Sequence, residues 1–228
     1  MRALISGATR GIGKAISKEL NKKGYDLILL ARNLSDLENL KGELPNKESK
    51  TSIFSIDLKN ESELVSLKEK IENLNELDVL INNVGVFNTN QADDINSTDL
   101  KDLFQINLYA AIELSNLFIP IMKEKHEGTI INIGSVMSLH AASFASNYSI
   151  TKHAFKGWND ALRDELRAYG IKVSAIYPGA VNTSSWDGIN VDRTAMIQAD
   201  DIAKLVGIAL ELNDSTLVEK IVLSPLQF

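Results

Sequence analysis

Tyr148 and Lys152 stand four residues apart in Tyr148-Ser149-Ile150-Thr151-Lys152, so on a helix they project from one face about a turn apart. A cation beside a phenol stabilises the phenolate. The pairing therefore predicts a Tyr148 pKa below its ordinary value of about 10 and a phenol that exchanges its proton readily near neutral pH. Such pairs also occur on ordinary surface helices, so the chemistry has to be read from the surroundings. Upstream, the strand-like run Ile130-Ile131-Asn132-Ile133-Gly134 delivers Ser135 at its C-terminal end, the edge where open α/β sheets put their ligands. A hydroxyl there can bond a carbonyl oxygen and steady the charge that develops on it. Ser138 is the competitor, since either hydroxyl could instead cap a turn.

A second constellation lies near the N-terminus, where Ser6-Gly7-Ala8-Thr9-Arg10-Gly11-Ile12-Gly13 joins an apolar strand to a helical pattern through Ala15, Ile16 and Leu20. Glycines allow a sharp turn and close approach of backbone to a pyrophosphate, and the helix N-terminus offers unpaired N–H groups to the anion. The second apolar run ends Leu29-Leu30-Ala31-Arg32-Asn33, with no acid before Asp36. A site for an unphosphorylated ribose places a carboxylate near this end, whereas a 2′-phosphate calls for an arginine. Arg32 in that place, with Arg10 inside the turn, predicts NADP(H) rather than NAD(H).

These groups need a scaffold that brings strand ends to one edge. Short apolar runs alternate with amphipathic stretches, the pattern of repeated βαβ units and a parallel sheet covered on both faces. Strands are expected near 2–6, 26–31, 51–56, 77–82, 129–134, 171–177 and 218–223. Helices are expected near 11–24, 35–42, 60–73, 98–124, 147–169 and 199–212. Asn60, Ser97 and Asn147 are read as N-caps, and Gly24 and Gly170 as helix C-terminal glycines. The fold class is α/β, a doubly wound Rossmann fold on a seven-stranded parallel sheet. One domain is expected over 1–228, with a cofactor half of about 1–135 and a catalytic and substrate part of about 135–228. The segment 183–198 is the least regular, and a loop of that length in a compact domain is usually functional or mobile.

The 228 residues are 44% hydrophobic and 24% charged, with a net charge of −6 and no cysteine. The charge is spread rather than blocked, which argues against nucleic acid as a partner. Disulfides and thiolate metal sites are excluded, and His126, His140 and His153 are too scattered to read as a metal-ligand motif. No apolar run approaches the roughly 18 residues that span a bilayer, so no membrane association and a cytoplasmic location are expected.

With these motifs assembled, the sequence resembles the short-chain dehydrogenase/reductase family over nearly its whole length. Residues 6–13 are similar to the family's cofactor turn, and Asn82-Asn83-Val84-Gly85 to its Asn-Asn-Ala-Gly motif, with Val84 in place of the usual alanine. Tyr148 and Lys152 resemble its Tyr-x-x-x-Lys pair. Pro178-Gly179, with Val181 and Thr183, resembles the segment that meets the nicotinamide carboxamide, and Asp57-Leu58 the position that contacts adenine. The resemblance implies cofactor contacts from Gly7, Thr9, Arg10, Gly11, Ile12, Gly13, Arg32, Asp57, Leu58, Asn83, Val84, Gly85, Tyr148, Lys152, Pro178, Gly179, Val181 and Thr183. It also implies that Asn107 holds a water beside the lysine, Ser135 orients a carbonyl, Tyr148 protonates its oxygen, and Lys152 bonds the nicotinamide ribose and lowers the Tyr148 pKa.

The implied activity is NADPH-dependent reduction of a ketone or aldehyde, with a 3-oxoacyl group within the same chemistry. Thr129 and Tyr169 stand where carrier-protein-specific members often have arginines, which favours a free carbonyl compound. Apolar candidates for a substrate pocket are Phe87, Met137, Leu139, Phe144, Trp186 and Met196, with His140 as a polar contact. The short segment after the sixth strand argues against a bulky, fully enclosed substrate. A catalytically silent NADP(H)-binding regulator and an NAD-dependent alcohol dehydrogenase of the same family are the alternatives. The regulator would be expected to lose the acid residues, and a sugar-nucleotide epimerase needs a larger C-terminal region. A homodimer or homotetramer through the helices near 98–124 and 147–169 is expected.

Overall fold

The computed structural model describes residues 1–71 and 76–227. Its centre is a parallel sheet of seven strands in the order β3-β2-β1-β4-β5-β6-β9: β1 Arg2–Ser6, β2 Asp26–Ala31, β3 Thr51–Ser55, β4 Val79–Asn82, β5 Gly128–Ile133, β6 Ile171–Pro178 and β9 Lys220–Leu223. The central strands are apolar at nearly every position because both faces are covered. Successive side chains leave a strand on opposite sides, so Ala3 and Ile5 enter one core while Leu4 enters the other. The first core is closed by α1 (Gly11–Lys22), α2 (Leu34–Glu43) and α7 (Ala199–Glu211), through residues such as Ile16, Leu20, Leu37 and Val206. The second is closed by α3 (Glu61–Lys70), α5 (Ala110–Lys125) and α6 (Ser146–Leu166), through Leu67, Phe118 and Leu166 among others. Strand order reverses between β1 and β4, and the crevice at their C-terminal ends is where such folds bind ligands.

Most expected boundaries hold to within one or two residues, and the exceptions have local causes. Residues 72 and 73, expected at the end of a helix, lie outside the described residues. The helix expected over 98–124 is broken into α4 (Ser97–Phe104), a π-helical turn at Gln105–Tyr109, and α5. The π turn carries Asn107 inward, where its amide bonds the chain after β4; a widened turn of this kind accommodates one extra residue in a continuous helix. Ser97 is the first helical residue rather than the cap, and Asn96 Oδ1 accepts from Asp99 N–H at 2.9 Å. Asn60 does cap α3, accepting from Ser62 N–H. Gly24 and Gly170 have the left-handed φ expected of them, +86° and +71°.

At α6 the cap position is held by Ala145, which has no side-chain acceptor, and Asn147 is buried in the first turn. The acceptor comes from elsewhere in the chain: Asn90 Oδ1 takes Asn147 N–H at 3.0 Å, and Asn90 O takes Ser146 N–H at 3.2 Å. Segment 183–198 is closed at its base by a short parallel ribbon that the sequence pattern does not signal, β7 (Val181–Asn182) against β8 (Ile197–Gln198). Two residues per strand are too few to give a periodic signal. No helix among the described residues is long and apolar enough to cross a membrane.

Candidate active site

The turn after β1 is shaped by close approach. Gly11 has φ +49°, and a Cβ there would lie 2.8 Å from Thr183 Cγ2; a Cβ on Gly13 would lie 2.2 Å from Gly7 O. The first site needs a backbone that side chains rarely adopt, and the second has no room for a methyl group. Asn83, just beyond β4, braces the turn: its Nδ2 donates to Ser6 O and Gly7 O at 3.0 and 3.1 Å, and its N–H donates to Ser6 Oγ. The amide of Asn83 is thus spent on the turn's own backbone while the residue also lines the cleft.

That cleft has a volume of about 450 Å³ and runs along the C-terminal strand edge. The β3–β2 side holds Arg10, Arg32, Asn33, Asp36, Asp57 and Leu58, the β1–β4 crevice is walled by Gly7, Thr9, Gly11, Ile12, Val84 and Gly85, with Thr183 against Gly11, and the α6 side holds Tyr148 and Lys152. Gly13, Pro178, Gly179 and Val181 are set behind the wall: Gly13 against Gly7, Gly179 bonded to Leu223 O, and Val181 in the core. Lining residues that sequence reasoning missed include Asp36, Lys59, Ser184 and Ser185. Asp36 was visible in the sequence as the first acid after β2, but its pairing to Arg10 was not.

At the Tyr148 end, α6 and the turn after β5 meet. Ser135 Oγ accepts from Met137 N–H at 3.1 Å and lies within hydrogen-bonding reach of the Tyr148 hydroxyl. Ser138 is fully buried, and its Oγ accepts from Ser135 N–H. The two serines cap the turn reciprocally, Ser135 from its start and Ser138 from three residues on, and Ser135 also faces the phenol. Phe87 packs edge-on against the Tyr148 ring at 5.0 Å, with Trp186 6.4 Å further on.

Lys152 is 3% exposed. Its ammonium makes one long bond, to Ile133 O at 3.4 Å, and sits 5.7 Å from the Tyr148 ring centre and 4.9 Å from that of Phe155. An ammonium has three hydrogens to give, so this buried donor is under-bonded. Burial pushes the Lys152 pKa down to about 8 and the Tyr148 pKa up to about 12, the bond with Ser135 offsetting part of the latter. This corrects the expectation that Lys152 lowers the Tyr148 pKa. Loss of water around the phenol sets the direction, and the ammonium 5.7 Å from the ring centre does not reverse it.

A stability test follows from the Lys152 shift. Its folded pKa lies below the ordinary 10.5, so between about pH 8 and 10.5 the unfolded chain holds a proton that the folded chain has released, and stability from this group rises with pH. The Tyr148 shift acts in the opposite direction only above about pH 10. Lys152→Met should abolish the rise: urea unfolding at about pH 7.5 and about pH 10 should show the wild type gaining roughly 1–3 kcal/mol relative to the variant. An equal pH response in both proteins would contradict the assignment.

Asn107 is fully buried, and its side chain is committed: Oδ1 accepts from Val86 N–H at 2.7 Å, and Nδ2 donates to Val86 O and Thr151 Oγ1 at 3.0 and 3.1 Å. Both amide hydrogens are engaged by protein groups. A Cβ on Gly85 would lie 3.4 Å from both Asn107 Oδ1 and Lys152 Nζ, so both side chains meet the same face of that glycine. Of the proposed substrate contacts, Phe87 lines the cleft, whereas Met137, His140, Phe144 and Trp186 do not. Phe144 is 55% exposed beside a shallow recess with Gln91 and Asp93, His140 is exposed, and Met196 is buried.

Residues 1–194 match the family model described as short chain dehydrogenase. The ketoacyl reductase HetN of Nostoc sp. is 32% identical over 190 residues, covering 83% of this chain and 65% of that relative. The 3-oxoacyl-(acyl-carrier-protein) reductase FabG of Haemophilus influenzae is 32% identical over 215 residues, covering 90% of this chain and 88% of that protein. Among solved structures, a short-chain dehydrogenase from Sphingobium yanoikuyae in complex with NADPH is similar, with a TM-score of 0.84 and 26% identity over 96% of this chain and 87% of that one.

Proposed function

The chain belongs to the short-chain dehydrogenase/reductase family, and on that footing we propose that it is an NADPH-dependent reductase of a ketone or aldehyde, with Tyr148 as proton donor. The observation that carries this reading is one cleft lined by Tyr148 and Lys152 on the α6 side, with Ser135 bonded to the phenol behind them, and by Arg10 and Arg32 on the β2 side. When bound, the nicotinamide supplies the hydride. The chain's task is then to hold the carbonyl, deliver a proton and keep water out. Ser135 Oγ and the Tyr148 hydroxyl are close enough to share one oxygen atom, which fixes the carbonyl and gives it a donor as negative charge develops. The raised Tyr148 pKa keeps the phenol protonated across the neutral range, as a donor requires. The under-bonded Lys152 ammonium suits a ribose diol, which would supply acceptors that the protein does not. Asn107 acts by position, tying Val86 and Thr151 together behind Gly85 and Lys152.

Preference for the phosphorylated cofactor rests on Arg10 and Arg32 and gains support from the NADPH complex of a relative at 26% identity. A 3-oxoacyl substrate gains support from the names of two relatives. The test is NADPH consumption with a panel of ketones, aldehydes, diketones and acetoacetyl thioesters, repeated with NADH. Turnover of at least one carbonyl, with higher efficiency on NADPH, is expected. Equal or higher efficiency on NADH would remove the cofactor preference, and tight NADPH binding without turnover of any compound would favour a regulator.

A further inference from the structure

At the arginine end of the cleft, Arg10 already has a partner. Its Nη2 lies 3.2 Å from Asp36 Oδ2, with the guanidinium side chain 71% and the carboxylate side chain 33% exposed. Asp36 is held in place: it is the third residue of α2, and its backbone N–H donates to the cap residue's Asn33 Oδ1 at 3.2 Å. Arg10, Arg32 and Asp36 all line the same stretch of wall.

We propose that Asp36 is a specificity-determining residue that competes with the cofactor's 2′-phosphate for Arg10 and so narrows the margin between NADPH and NADH. The proposal rests on the reading that this end of the cleft receives the adenosine ribose. A phosphate taking Arg10 bidentately must displace the carboxylate or share the guanidinium with it. In either case two anions come within a few ångströms of each other, and their repulsion opposes binding. An unphosphorylated ribose brings a neutral hydroxyl and meets no such repulsion. Because the ion pair is exposed it is weak and can be opened, so Asp36 tunes the preference rather than blocking the phosphate. Among the described residues Arg10 is the arginine of this pair that Asp36 holds and Arg32 forms no ion pair, which leaves the phosphate one uncontested guanidinium beside a contested one.

Ligand fragments separate these effects without any turnover. Adenosine 2′,5′-bisphosphate and 5′-AMP would be titrated calorimetrically, at fixed ionic strength, into the wild type, Asp36→Asn, Arg10→Ala and the double variant. Asp36→Asn should tighten the bisphosphate by about fivefold or more, leave 5′-AMP within about twofold, and lose most of its effect when Arg10 is absent. A wild type that prefers the bisphosphate, with Asp36→Asn binding it no better, would overturn the proposal and leave the phosphate reading standing. If neither protein prefers the bisphosphate, the phosphate reading falls and the proposal falls with it. A gain undiminished in the Arg10→Ala background would overturn competition for Arg10.

Discussion

Tyr148→Phe should lower kcat/KM for carbonyl reduction by about 10³-fold, or about 4 kcal/mol of transition-state stabilisation, the range that a well-placed general acid supplies. The ring is retained, so its edge-on contact with Phe87 at 5.0 Å persists and the fold should be undisturbed. The lost group is the hydroxyl that faces Ser135. NADPH affinity should change by no more than about twofold, because the proton is needed only as charge develops on the substrate oxygen. The measurements are steady-state kinetics with the best carbonyl from the panel and direct titration of NADPH. Residual activity within about tenfold of wild type would remove Tyr148 as the donor.

Gly13→Ala should be the most damaging small substitution in the cofactor half. Its new methyl would lie 2.2 Å from Gly7 O and 2.6 Å from Asn83 Nδ2, so the turn after β1 must separate from α1 or give up the brace from Asn83. Overpacking of this kind costs about 3 kcal/mol when backbone is the obstacle. At this chain length that is roughly a 10 °C fall in Tm. On the proposed function the glycine turn also walls the dinucleotide, so NADPH binding should weaken by at least about tenfold in the fraction that still folds. Thermal unfolding and titration together check the prediction. A variant with unchanged Tm would show that the turn relaxes freely.

The sheet was legible because its strands are unambiguous: Leu27 to Leu30 are apolar at every position, and only a strand covered on both faces needs that. The Tyr148 side of the cleft was legible through motif residues on strand ends and one helix face. What escaped depends on contacts distant in sequence. The π turn exists because Asn107 reaches Val86, 21 residues away, and no local periodicity encodes that bond. The cap of α6 was assigned to Asn147 because an acceptor is normally sought at the helix start, whereas Asn90 supplies it across 57 residues. The direction of the Tyr148 shift was misjudged because spacing gives a neighbour's charge but not the depth at which both groups lie. Asp36 was passed over as too late in the chain, although the first turn of α2 returns it to Arg10.

Beneath the site, a row of buried amides links the sheet to the helix that carries Tyr148. Asn82 Nδ2 donates to Asn132 Oδ1 and to Ser115 Oγ, and Asn132 Nδ2 donates to Asn159 Oδ1, each at 2.9 Å. The row therefore has a polarity, every amide giving hydrogen to the next in one direction from β4 through β5 to α6. A carboxylate of the same shape at Asn132 could still accept but could not donate, and would leave Asn159 facing a bare charge; a leucine would strand both neighbours. Asn82, Asn132 and Asn159 thus form one hydrogen-bonded unit. Over evolutionary time they should be kept together or exchanged together, and drift at one alone should be rare even though none of them touches the cleft.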